Sequence, residues 1–64
     1  MNSGTFIIER TDQGGGMVAV PGSKHSYTNK LSEAWKFTSR ELADRQRCPD
    51  NEVVVNLFDL ILGR

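Results

Sequence analysis

With one cysteine, Cys48, and one histidine, His25, in 64 residues, the chain has to fold without covalent or metal reinforcement. A single thiol makes no internal disulfide, and one Cys with one His falls short of a structural zinc site. A domain this short buries only about 60% of the surface its unfolded chain exposes. A packed apolar core therefore has to carry the fold, and self-association is the remaining route to extra stability. Hydrophobic residues make up 38% of the sequence. They fall in runs spaced like the elements of one folded domain, residues 1–64, and not like a disordered chain.

Eight basic and eight acidic residues leave no net charge. That balance argues against a nonspecific nucleic-acid or membrane binder, which carries a basic excess, and against an acidic DNA mimic. The opening residues Met1 to Thr5 lack the basic region and apolar run of a signal peptide. The longest apolar stretches fall far below the roughly 20 residues that span a bilayer. A lone thiol suits a reducing interior, so the expected location is the cytoplasm.

Thr5 to Arg10 is rich in β-branched and aromatic residues and reads as a strand with Phe6 and Ile8 on one face. Met17 to Val20 reads as its hairpin partner. Thr11 to Gly16 forms the connection, since three glycines permit positive φ. Pro21-Gly22 closes the second strand, and Ser23 to Thr28 reads as loop. Asn29 offers an N-cap to a short helix in which Leu31, Ala34 and Trp35 make one apolar stripe. Thr38-Ser39-Arg40-Glu41 matches the capping box, and Phe37 with Leu42 matches the hydrophobic staple. A helix is thus expected from Ser39 to about Arg47, with a thin stripe of Leu42, Ala43 and Gln46, stopped by Pro49. Glu52 to Asn56, with three successive valines, is the strongest strand. Leu57 to Leu62 reads either as a bent continuation of that strand, the favoured reading, or as a helical turn capped by Asn56.

The expected architecture is α+β. It has a three-stranded antiparallel sheet with one short and one longer helix on one face, in the order β-β-α-α-β. Trp35, Phe37, Leu42, Phe6, Ile8 and Val54 or Val55 would fill the layer between.

Chemistry is hard to find in this pattern. The glycines around residues 14–24 lack the spacing of a phosphate loop, because Gly22 is followed by Ser23 before Lys24. His25 would need an oriented acid such as Glu9 or Asp12 and a nucleophile such as Ser23 or Ser26, and nothing local specifies that. Cys48 lies at a helix C-terminus, which opposes thiolate formation, and reads as a passive, partly buried thiol. The carboxylates are single: Glu41 is assigned to its cap, Glu33 to the short helix, and a Glu41–Arg45 pair to the helix surface. The expectation is no enzyme, no metal and no cofactor. Charge is uneven, however. Residues 24–47 carry Lys24, Lys30, Lys36, Arg40, Arg45 and Arg47 against Glu33, Glu41 and Asp44, or plus three.

Leu31-x-x-Ala34-x-x-Phe37 followed by Thr38-x-x-Glu41-x-Ala43, set between the hairpin at Phe6–Val20 and the strand Val53-Val54-Val55, resembles a pattern in small phage- and prophage-encoded accessory proteins. Such proteins commonly block a host factor, anti-CRISPR inhibitors being the best-known small examples. The resemblance implies a compact viral accessory protein with no catalytic residue. This chain departs from the pattern in its triglycine loop and apolar tail.

Together these readings anticipate a stoichiometric binding protein that inhibits a host protein or ribonucleoprotein complex. Its contacts would be Lys24, His25, Tyr27 and Lys30 in the central loop and Arg40, Arg45 and Arg47 on the helix. The alternatives are a nucleic-acid-binding module using the basic segment 24–47, and a structural subunit that forms a homodimer through the apolar C-terminal segment.

Overall fold

A computed structural model of the protein describes residues 4–62. The strands are β1 (Phe6–Arg10), β2 (Met17–Val18), β3 (Tyr27–Thr28) and β4 (Glu52–Asn56). The helices are α1 (Arg40–Gln46) and α2 (Leu57–Ile61), with a 3-10 turn at Leu31–Glu33. The strands form one antiparallel sheet in the order β3-β2-β1-β4.

β1 is the organising strand, paired along its whole length with β4 from Phe6 opposite Asn56 to Arg10 opposite Glu52. Its pairing with β2 is limited to Glu9 opposite Met17. Beyond that point the two strands diverge, and the extended stretch Ala34–Phe37 fills the gap. Phe37 exchanges two backbone bonds of 2.8 Å with Phe6, and the Trp35 amide donates to the Val18 carbonyl.

Among the described residues the sheet has four strands, not three. The extra one comes from Ser23–Thr28, read as loop; Tyr27 and Thr28 pair with Val18 and Met17, and a two-residue strand is too short to show a period of two. β2 is correspondingly shorter than the expected Met17–Val20.

The helices also do not share one face. Ile7 and Ile8 are adjacent in β1, point to opposite faces, and are both 0% exposed. Ile8 packs with Phe37 and Ala43, joined by Phe6, Val18, Trp35 and Val54, under α1. Ile7 packs with Met17 and Ala34, joined by Leu31, Val55, Leu57 and Leu60, under the 3-10 turn and α2. The molecule is a sheet with a thin apolar layer on each side.

Local chemistry explains the remaining differences. The expected short helix is only the 3-10 turn: Lys30 precedes it in extended geometry with no side-chain cap, and Ala34 follows it extended. Ala34 and Trp35 therefore enter different clusters, and Asn29 caps nothing. The cap of α1 is Ser39, not Thr38; its hydroxyl accepts from the Leu42 amide at 3.1 Å. This one-residue shift removes the capping box and the staple. Leu42 is 45% exposed, and of the expected stripe only Ala43 is buried. After the Cys48–Pro49 turn, β4 leads directly into α2. The Asn56 side chain accepts from the Phe58 amide at 2.8 Å, so the favoured bent strand is replaced by the helical alternative. The glycines serve as expected in the first turn, where Gln13 and Gly14 to Gly16 all have positive φ.

Candidate functional site

Three side chains from three strands meet at one end of the sheet. Tyr27, Arg10 and Glu52 fall at register positions that share the Ile8 face. The Arg10 guanidinium lies 4.0 Å from the centre of the Tyr27 ring. The Tyr27 hydroxyl donates to Glu52 Oε2 at 2.5 Å, and the Cys48 amide donates to Glu52 Oε1 at 2.7 Å. Arg10 also donates from Nε to the Gly15 carbonyl and lies 3.7 Å from Asp12. Glu52 is the buried charged side chain of the described residues. Its hydrogen bond raises the Tyr27 phenol above its ordinary value of 10.0, with burial and the Glu52 charge adding to the shift and Arg10 opposing it.

Beside this lock lies an open concavity of about 680 Å³, walled by the β2–β3 connection and the 3-10 turn. Lys24, His25, Tyr27 and Lys30, four of the seven expected contact residues, line it together. Glu33, on the far wall, accepts from Thr28 Oγ1 at 3.0 Å. Among the described residues, neither Lys24 nor the Lys30 ammonium has an ion-pair partner. The result is a shallow shelf with two free cations and an aromatic floor.

Arg40 and Arg47 belong to a second groove, of about 470 Å³, between α1 and β4, with Glu41, Asp44, Val53 and Val54. Arg47 pairs with Asp44 at 2.6 Å and donates to the Glu52 carbonyl. The Arg40 guanidinium lies 5.0 Å from the Phe6 ring centre. Arg45 is exposed and lines neither hollow. The expected contacts thus divide into two sites and one outlier. The helix ion pair is Asp44–Arg47, three residues apart, and not Glu41–Arg45.

Neither Glu9 nor Asp12 is brought to His25. Asp12 engages Arg10 and the Asn51 side-chain amide, and no described side chain hydrogen-bonds the imidazole. Cys48 is exposed, contrary to the partly buried thiol expected. Among the described residues no three His, Cys, Asp or Glu side chains lie close enough to hold a metal ion, and no helix is long and apolar enough to cross a membrane. Sequence reasoning missed Glu52 and Arg10 as partners. The available signal was parity, since both fall on the even-numbered face of their strands with Ile8 and Val54.

No protein-family model, curated protein or solved structure matches this chain at a significant level.

Proposed function

We propose that the chain is a small non-catalytic binding protein that acts by occupying an acidic surface of another protein, in stoichiometric fashion. The observation that supports this reading is the shelf at Lys24, His25, Tyr27 and Lys30, where two exposed ammonium groups have no ion-pair partner among the described residues. Free cations beside an aromatic ring favour fast, charge-steered docking and give an interface its orientation. The pattern shared with phage accessory proteins adds the class of partner, a host defence complex, and the mode, inhibition inside the host cytoplasm.

Charge reversal tests it. Lys24 and Lys30 are exposed, so Lys24→Glu with Lys30→Glu leaves the fold intact. A stoichiometric partner captured by the parent protein should bind the double variant at least about tenfold more weakly, chiefly through slower association. Equal capture by both proteins overturns the reading. Nucleic acid is the other anionic partner: with two free cations its affinity would fall with salt at a log–log slope of about −2. Binding to duplex DNA or RNA with that slope, and no protein partner, transfers the shelf to that alternative.

A second reading, self-association, is favoured by α2. Leu57 and Leu60 face the core, yet Phe58, Ile61 and Leu62 are 68%, 59% and 73% exposed. At 100° per residue the apolar arc spans about 200°, and the sheet uses less than half of it. The open part amounts to on the order of 350 Å², under half of the about 800 Å² per partner in a standard interface. A weak homodimer through this flank is the expected outcome. Sedimentation should show a monomer–dimer equilibrium at high concentration that Phe58→Ser with Leu62→Ser abolishes; a parent protein that stays monomeric throughout removes it.

A further inference from the structure

Among the described residues the sheet has an open edge at β4, and hydrogen-bond parity shows what that edge offers. Thr11 donates to the Asn51 carbonyl and Leu57 to the Thr5 carbonyl, so odd-numbered residues face each other across the β1–β4 ladder. The even-numbered groups of β1 turn the other way: Phe6 bonds Phe37, and Arg10 donates to Gly16. In an antiparallel ladder this alternation continues along β4, so Glu52, Val54 and Asn56 direct their backbone groups outward. Those of Glu52 are occupied, its amide by the Cys48 carbonyl and its carbonyl by Arg47. The Asn56 carbonyl begins α2. Among the described residues, what remains without a partner is the Val54 amide, the Val54 carbonyl and the Asn56 amide, side by side on an edge strand.

The groove above that edge has an ordered charge pattern. Arg47 sits at the Glu52 end through its bond to that carbonyl. Arg40 sits at the other end over Phe6, which pairs with Asn56. Glu41 and Asp44 lie between them, with Val53 and Val54 as the floor. Along the edge the charges read plus, minus, minus, plus. A second copy paired about a two-fold axis at Val54 would set Arg40 against Arg47 of the other copy, and Glu41 against Asp44. Like charges would meet throughout, which opposes self-pairing. The complement is an extended segment with a central base and an acid two residues to each side. Acids at i and i+4 of a strand stand about 13 Å apart, against roughly 10.5 Å from Arg40 to Arg47 along a helix. No stretch of this chain carries two acids four residues apart with a base midway, so the occupant is foreign.

We propose that the β4 edge takes up an extended segment of another protein as a fifth strand, one whose sequence reads acid-x-base-x-acid. Backbone bonds to Val54 and Asn56 hold it, and the Arg40–Glu41–Asp44–Arg47 stripe selects its charge order. This surface is separate from the lysine shelf, and neither reading depends on the other.

Two synthetic peptides test it on the unaltered protein, capped Thr-Glu-Val-Lys-Val-Glu-Thr and its charge-inverted counterpart Thr-Lys-Val-Glu-Val-Lys-Thr. Titration followed by amide resonances should shift Val54 and Asn56 with the first peptide. The inverted peptide should bind at least about tenfold more weakly. Exchanging the charges at one end, Arg40→Glu with Glu41→Lys, should narrow that preference. Equal binding of both peptides, or no response at Val54 and Asn56, overturns the proposal. So does slow exchange of the Val54 amide in the peptide-free protein, because it means the edge is already paired.

Discussion

Ile8→Ala and Ile7→Ala should each unfold most of the protein, and by similar margins. Each removes three heavy atoms from a site with no access to solvent, a change that lowers stability by roughly 2–5 kcal/mol. A domain of this size has only about 3–5 kcal/mol to lose. Each isoleucine is the one side chain of its cluster, apart from a small alanine, that is fully shut off from solvent or nearly so, so its loss opens the centre of that layer. Urea titration read through Trp35, the single tryptophan, should show both midpoints moved close to zero denaturant. Ile→Val at either site should cost about 0.5–1.5 kcal/mol and leave a measurable transition. The pairing of the two variants is what tests the architecture. If Ile7→Ala were silent while Ile8→Ala unfolded the chain, the α2 side would not be a core at all.

The second large effect concerns Glu52. Its carboxylate takes hydrogen bonds from the Tyr27 hydroxyl and the Cys48 amide. Hydrogen bonds to charged groups contribute about 1.5–3 kcal/mol each. Glu52→Ala strands both donors and should lower stability by about 3 kcal/mol, whereas Glu52→Gln keeps an acceptor and should lose less. The pH behaviour follows from the direction of the Tyr27 shift. The phenol titrates higher in the folded chain than the 10.0 of a free tyrosine. The stabilisation is therefore fully present below pH 10, and it is lost as pH rises through the folded value and a phenolate forms against the Glu52 carboxylate. With a single tyrosine in the chain, phenolate absorbance reads this group alone. The native protein should titrate above 10.0, and urea-unfolded protein at about 10. Glu52→Gln should move the native value back down. A native phenol that titrates like the unfolded one would mean the hydrogen bond is not made.

Features set by neighbouring residues were legible in the sequence. The turn at Gly14 to Gly16, the strand at Val53 to Val55 and the stop at Pro49 all follow from local backbone preferences. Lys24, His25, Tyr27 and Lys30 also come together because a short connection keeps close neighbours close. The two-sided sheet was written in Phe6-Ile7-Ile8, an unbroken apolar run with no polar alternation. The same signature in the valines of β4 misleads in part: Val54 and Val55 are half-buried on opposite faces, but Val53 is exposed and the strand lies at the edge of the sheet. The helix cap lies one residue later than the pattern suggested: Thr38 and Ser39 are both capping residues, and Ser39, the better cap of the two, is the one that accepts from the Leu42 amide. The Tyr27–Glu52 contact spans 25 positions, a separation at which local pattern says nothing. β3 is visible only through its partner β2.

The best-paired strands of this sheet come from opposite ends of the sequence, with residues 11–51 between β1 and β4. Ile7 and Ile8 thus have no complete shelter until Val54 and Val55 arrive. During synthesis the early part of the chain must leave the ribosome with its most apolar strand half-covered. Closing so long a loop before any reward is slow relative to helix formation. Productive folding therefore waits for β4, and the interval before it arrives is when β1 is most exposed to aggregation or to capture by a chaperone.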